Sequence, residues 1–140
     1  MKRWLHNQPC PCGRTDSRSR PLRFEHCCQP WLETDAPAPD AHTLMRSRYC
    51  AFVLERADYL LQTWHPSTRP AHIEFEPGVK WQGLEVRSHV QPDDTHAQVE
   101  FVARQRPPSG PALRLHENSQ FVLEHGRWFY CEDRAQDAKN

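Results

Sequence analysis

Ala97-Gln98-Val99-Glu100-Phe101-Val102-Ala103 decides the fold. Apolar side chains stand at 97, 99, 101 and 103, and a period of two sets one face of a strand against a core and the other toward water. The pattern extends both ways: from Ile73 onward apolar residues mostly alternate, through Leu84, Val86 and Val90 before this stretch and Leu113, Leu115, Phe121 and Leu123 after it. Turn-forming clusters lie between the runs, at Gln91-Pro92-Asp93-Asp94, Pro107-Pro108-Ser109-Gly110-Pro111 and His125-Gly126, so the strands are successive and joined by short connections. Upstream the period changes. Leu44, Met45, Tyr49, Phe52, Val53, Leu60 and Trp64 recur at three- and four-residue steps until Pro66, which predicts a long helix and a short one with a break between Glu55 and Asp58. The expected architecture is α+β, a helical pair packed on a curved antiparallel sheet.

The chain of 140 residues has room for one domain with appendages. Its 18 basic and 18 acidic residues cancel, so no global field steers it toward nucleic acid or an anionic membrane face, while five Trp, six Phe and three Tyr argue for a packed core. Composition divides it into a basic segment (1–30), a connector (31–40), the α+β domain (41–132) and a tail (133–140). Pro37 and Pro39, with Pro30 at the edge, make the connector extended, and the residues from Glu132 onward, without a large apolar side chain, are expected to fray.

No window holds the eighteen or more apolar residues of a spanning helix, and the start turns polar too early for an export signal, which points to the cytoplasm. In a reducing compartment clustered cysteines read as metal ligands. Cys10-Pro11-Cys12-Gly13 and Cys27-Cys28 offer four thiolates in two tight pairs, a set that one structural zinc would fill completely, leaving no open position for catalysis. Two disulfides or unligated surface thiols are the competing readings, and His26 could replace one sulfur. Arg14, Arg18, Arg20 and Arg23 are expected to offset the charge of the thiolates. Cys50, in mid-helix, reads as a small core residue, and Cys131 as a strand residue.

The chain resembles the YchJ-type family of uncharacterised bacterial proteins. Beside the cysteine pairs, the resemblance rests on Leu44-Met45-Arg46-Ser47-Arg48-Tyr49, Thr63-Trp64-His65-Pro66, Trp81 with Gly83-Leu84, Val99 to Ala103, and His116-Glu117 with Ser119, Phe121 and Trp128. It implies an N-terminal SEC-C zinc motif, similar to that of the SecA translocation motor, joined to a nuclear transport factor 2-like cone; it implies no activity. Fourteen residues, Gly13 to His26, separate the cysteine pairs here, where the family usually has a short loop, so Arg14 to Phe24 is expected to bulge outward. Some relatives carry a second, C-terminal cysteine motif, which this sequence lacks; one metal is expected.

A cone closed by a helix has a mouth that admits small molecules. If Leu113, Leu115, Phe121 and Leu123 face the core, alternation puts Glu117 and Ser119 there too. Glu117 then either forms an ion pair with Arg46 or Arg48 on the helix, with nothing bound, or serves as a base or ligand anchor in a pocket with Tyr49, Trp64, Trp81 and Trp128. His65 reads as a helix-end residue, and His116, alternating with Leu115, faces out.

Three functions follow. The first, favoured here, is an interaction module whose zinc knuckle docks a protein partner and whose cone is scaffold. The second is a small-molecule binder or enzyme centred on Glu117, and the third is nucleic-acid binding through the arginine-rich loop. The sequence supports no reaction and gives no oligomeric state.

Overall fold

The computed structural model describes residues 2–134. Helices α1 (Gln29–Glu33), α2 (Ala41–Val53) and α3 (Ala57–Gln62) precede strands β1 (Lys80–Val90), β2 (His96–Arg106), β3 (Leu113–Glu124) and β4 (Arg127–Asp133). The strands form one antiparallel meander in the order β1-β2-β3-β4. Helix α2 begins where Asp40 accepts a hydrogen bond from the Thr43 amide at 2.7 Å, an N-cap that satisfies one of the free donors of the first turn. The break between α2 and α3 falls at residues 54–56, with Glu55 at φ 57°, overlapping the expected Glu55–Asp58 interval but starting one residue earlier, while Ala57 and Asp58 already belong to α3.

The curvature of the sheet comes from irregular pairing. The β1–β2 register shifts between Trp81 and Gly83 and again between Val86 and Ser88, and the β3–β4 register shifts beside Phe121; extra residues of this kind bend a strand and increase its twist. At the first shift the Gly83 amide donates to the Tyr49 hydroxyl at 3.1 Å, joining β1 to α2. His125 (φ 54°) and Gly126 (φ 77°) make the two-residue left-handed turn of the β3–β4 hairpin. Ala97, Val99, Phe101 and Ala103 face the core, as their alternation predicts.

Several expectations change. The first strand starts at Lys80 rather than near Ile73: residues 66–79, with Pro66, Pro70 and Pro77, form an irregular strap, because proline lacks the amide a ladder needs. Leu113 is 45% exposed at the outer end of β3 and leaves the core to Leu115. The stretch read as an extended connector begins in α1, whose first turn holds Pro30, a position where a missing amide costs nothing. Glu132 and Asp133 belong to β4, and the Arg134 amide donates to the Asn118 carbonyl at 3.0 Å; the rest of the expected tail, 135–140, lies outside the described residues.

The segment before residue 30 is packed onto the cone. Cys10, Cys12, Phe24, Cys28 and Leu32 share one core with Leu44, Met45, Tyr49 and Cys50 of α2. Helix α2 is accordingly buried on nearly all sides, with the sheet on one face and the cysteine segment on another.

Candidate metal centre and cone cavity

The long insertion between the cysteine pairs folds as a small hairpin. Pro9 bridges Arg23, Thr15 bridges Pro21, the Cys10 amide donates to the Leu22 carbonyl at 2.8 Å, and the exposed tip turns at Asp16–Ser19 with Ser19 at φ 61°. The insertion therefore projects outward, and its closure at Pro9 and Arg23 brings Cys10 back to Cys28. Gly13, at φ 76°, completes the turn after Cys12, the left-handed geometry glycine adopts at least cost.

The expected Cys10, Cys12, Cys27 and Cys28 are gathered by this hairpin, and Cys50 of α2 joins them. The Sγ atoms of Cys10, Cys12, Cys28 and Cys50 all lie within 4.8 Å of one another, and all four residues are buried. Cys10 and Cys50 are 3.5 Å apart; the half-buried Cys27 stands 3.6 Å from Cys12 and 3.9 Å from Cys28. All six cysteines are free. Hydrogen bonds from Cys10 and the other neighbouring thiols hold the Cys12 thiol far below its ordinary range, whereas burial pushes Cys50 well above it. Four sulfurs this close, shielded from water, can hold a metal ion in a closed shell.

The charges around the centre are arranged differently from the expectation. Arg20 pairs with Asp16 at 3.1 Å and Arg23 with Glu25 at 3.7 Å, whereas Arg14 donates to the neutral Thr43 hydroxyl of α2 at 3.1 Å. The cation anchored to the knuckle itself is Arg46, whose Nη1 donates to the Cys12 carbonyl at 2.9 Å while its Nε meets His42 at 2.8 Å. Arg46 thus leaves the expected pocket set. His26 is 70% exposed at its side chain and pairs with Glu25, away from the sulfurs.

On the other side of α2 a cavity of about 400 Å³ opens between helix, sheet and strap. Arg48, Tyr49, Trp64, Trp81, Glu117 and Ser119 line it, as expected; Trp128 instead borders a separate cavity of about 50 Å³ near Trp31. Phe52, which also lines the larger cavity, meets Phe75 edge-to-face at 6.4 Å between ring centroids and Trp81 at a tilt at 5.8 Å. Tyr130, missed from the sequence, shares a strand face with Trp128 by the period of two, and that alternation is the signal that finds it. Phe75 sits in the irregular strap, where no periodicity announces it.

Arg48 is buried yet satisfied. Its Nη1 donates to the Leu60 carbonyl at 2.8 Å and to Thr63 Oγ1 at 2.7 Å, and its guanidinium lies 4.5 Å from the Tyr130 ring centroid and 5.2 Å from that of Trp64. Desolvation lowers its pKa to about 10. The expected Arg48–Glu117 ion pair does not form. Glu117 accepts one long hydrogen bond, 3.4 Å from Ser119 Oγ, and has no ion pair among the described residues; burial, then the nearby Asp133, pushes its carboxyl above the ordinary value. No shift in the β2–β3 register disturbs Glu117, which pairs across the sheet with Phe101.

The histidines make surface pairs, His65 with Glu124 at 2.9 Å and His116 with Glu100 at 2.7 Å. Among the described residues no helix is long and apolar enough to cross a membrane.

Comparison with known proteins matches residues 40–133 to the YchJ middle NTF2-like domain. A UPF0225 protein of Polaromonas sp. is 64% identical over 125 residues, spanning 88% of this chain and 90% of its own length. Another, from Bordetella pertussis, is 52% identical over 126 residues, spanning 88% and 90%. Among solved structures, a SEC-C motif containing protein from Psychrobacter arcticus aligns with a TM-score of 0.75 at 31% identity, covering 91% of this chain and 82% of its own. A SEC-C motif containing protein from Rhodopseudomonas palustris gives 0.75 at 30% identity, covering 90% and 97%.

Proposed function

The chain belongs to the YchJ family, and from that premise we propose that it is a zinc-stabilised binding protein whose cone takes up a small organic cation. Glu117 carries the reading. A carboxylate without an ion pair inside an aromatic cavity bears a desolvation cost that a ligand with a protonated nitrogen would relieve, and surrounding rings favour the same charge through their π faces. The other charges at the cavity support this sign: Lys2 is paired with Glu55 at 3.2 Å, Arg48 is held by Leu60 and Thr63, and Glu74 and Glu76 stand at the mouth. A volume of about 400 Å³ falls in the range of small-molecule sites.

Zinc is the ion the sulfur cluster suits. Zn–S bonds of about 2.3 Å imply tetrahedron edges of about 3.8 Å, and the neighbouring sulfurs of the cluster stand close to that value, Cys10–Cys50 at 3.5 Å, Cys12–Cys27 at 3.6 Å and Cys27–Cys28 at 3.9 Å. Bound there, zinc would supply structure rather than catalysis, holding the hairpin to the cone. Six free thiols also suit a reducing cytoplasm.

A thermal-shift and calorimetric screen comparing protonated amines with neutral alcohols of the same shape tests the ligand class. Amines should stabilise the wild type and lose that effect in Glu117→Gln, while the alcohols do little. Equal stabilisation by both classes, or hits that survive Glu117→Gln, would remove the reading.

The interaction-module reading keeps one observation of its own. Trp4 and Leu5, 38% and 66% exposed, lead into the cysteine hairpin as an apolar surface, with the Trp4 indole donating to the Pro9 carbonyl at 2.9 Å. Pull-downs with wild type and a Trp4→Ser, Leu5→Ser double variant separate the cases; identical partner sets exclude docking through this surface.

A further inference from the structure

After α3 the chain turns back onto β4 and is fixed there. The His65 amide donates to the Tyr130 carbonyl at 2.7 Å, Thr68 Oγ1 donates to the Cys131 carbonyl at 2.7 Å, and Arg69 Nε returns to the Trp64 carbonyl at 2.9 Å. Within this turn the His65 ring stands between two oxygens. Its Nδ1 lies 2.7 Å from Ser67 Oγ, and its Nε2 lies 2.9 Å from Glu124 Oε2 at the end of β3. None of the three residues lines the cone cavity. We propose that Ser67, His65 and Glu124 are the nucleophile, base and orienting carboxylate of a second site, one that hydrolyses small carboxylic esters through an acyl-serine.

The proton positions follow from a donor that has no alternative. The Ser67 amide also donates to Nδ1, at 3.1 Å, and an amide can only donate, so Nδ1 carries the lone pair and Nε2 the hydrogen. Nε2–H therefore donates to Glu124, and the Ser67 hydroxyl donates to a basic nitrogen, the order in which a base held by a carboxylate activates a hydroxyl. Ser67 is exposed, so an ester can reach Oγ; His65 is half-buried and perpendicular to the Phe129 ring at 6.0 Å between centroids, which keeps the imidazole oriented. Attack of Ser67 Oγ on the ester carbonyl passes the hydroxyl proton to His65 Nδ1, which gives it to the departing alkoxide. Water then attacks the acyl-serine, its proton passing through Nδ1 to Ser67 Oγ, and the carboxylic acid leaves. Arg69, two residues beyond Ser67, has Nη groups without a partner among the described residues and is the donor for the oxyanion. The inference does not depend on what the cone binds.

A fluorophosphonate, which an activated serine attacks at phosphorus with loss of fluoride, tests the assignment on the untagged full-length protein. Mass spectrometry should map the label to Ser67. Labelling should vanish in Ser67→Ala and slow at least about 100-fold in His65→Gln, the lower end of what a general base contributes. Glu124 is a positioning residue, and Glu124→Gln should slow labelling at least about tenfold. Its side chain is 44% exposed, so this variant stays folded and carries the test even where His65→Gln loses stability. Hydrolysis of p-nitrophenyl acetate should fall in the same order, with melting temperatures measured alongside to separate a lost base from a lost fold. Absence of label on Ser67 in the wild type, or labelling rates unchanged in Glu124→Gln and in folded His65→Gln, overturns the assignment.

Discussion

At the scale of single residues, Glu117 gives the sharpest pH dependence. Burial and Asp133 raise its carboxyl above the ordinary value, with Ser119, Arg48 and His116 pulling the other way. The folded chain therefore holds this proton more tightly than the unfolded chain. Its contribution to stability is full below the unfolded value of about 4.3 and is lost as pH rises through the higher folded value. Glu117→Gln should accordingly melt above the wild type at about pH 8 and converge with it near pH 4; a melting series across pH checks the crossing. Arg48 makes the opposite kind of prediction. Arg48→Lys keeps the charge but cannot reproduce both hydrogen bonds and the stacking on Tyr130, and should cost about 1–3 kcal/mol in denaturant unfolding. The sequence could place Glu117 and Ser119 on the core face because strand alternation is strict. It could not place Cys50, because a cysteine in a helical pattern looks the same whether apolar side chains or thiols cover it.

At the scale of elements, the helices and strands were legible where one periodicity dominated. The helix break near Glu55 and the faces of β2 and β3 follow from steps of three, four and two residues, which reflect burial on one side. Helix α2 departs from that logic: it is buried on two sides, so its sequence lacks a clean polar face, and the cysteine hairpin packed behind it covers the fully buried Cys50. The strap 66–79 escaped the periodic reading because prolines and tertiary contact, rather than a repeat, hold it. Two substitutions test the elements. Asp40→Ala removes the cap on Thr43 and should cost about 1 kcal/mol, while Leu60→Ala, at a fully buried α3 position, should cost about 2–5 kcal/mol by opening a cavity. Both are read from shifts in the urea midpoint.

At the scale of the whole molecule, composition divides a basic cysteine segment from a domain, and the fold gives them one core. That union was hidden from sequence because the contacts joining them span residues far apart in the chain: Cys10 with Cys50, Arg46 with the Cys12 carbonyl, Arg14 with Thr43. The consequence is that the metal and the cone should not melt independently. Zinc bound only by the folded state adds its binding free energy to folding, which for structural cysteine sites is of the order of 10 kcal/mol. Native mass spectrometry of untagged protein purified under reducing conditions, followed by thermal melting before and after chelation, tests this most directly. The account predicts one zinc per chain and a single transition that falls steeply when the metal is removed. A metal-free protein, or a melting temperature indifferent to chelation, would contradict it.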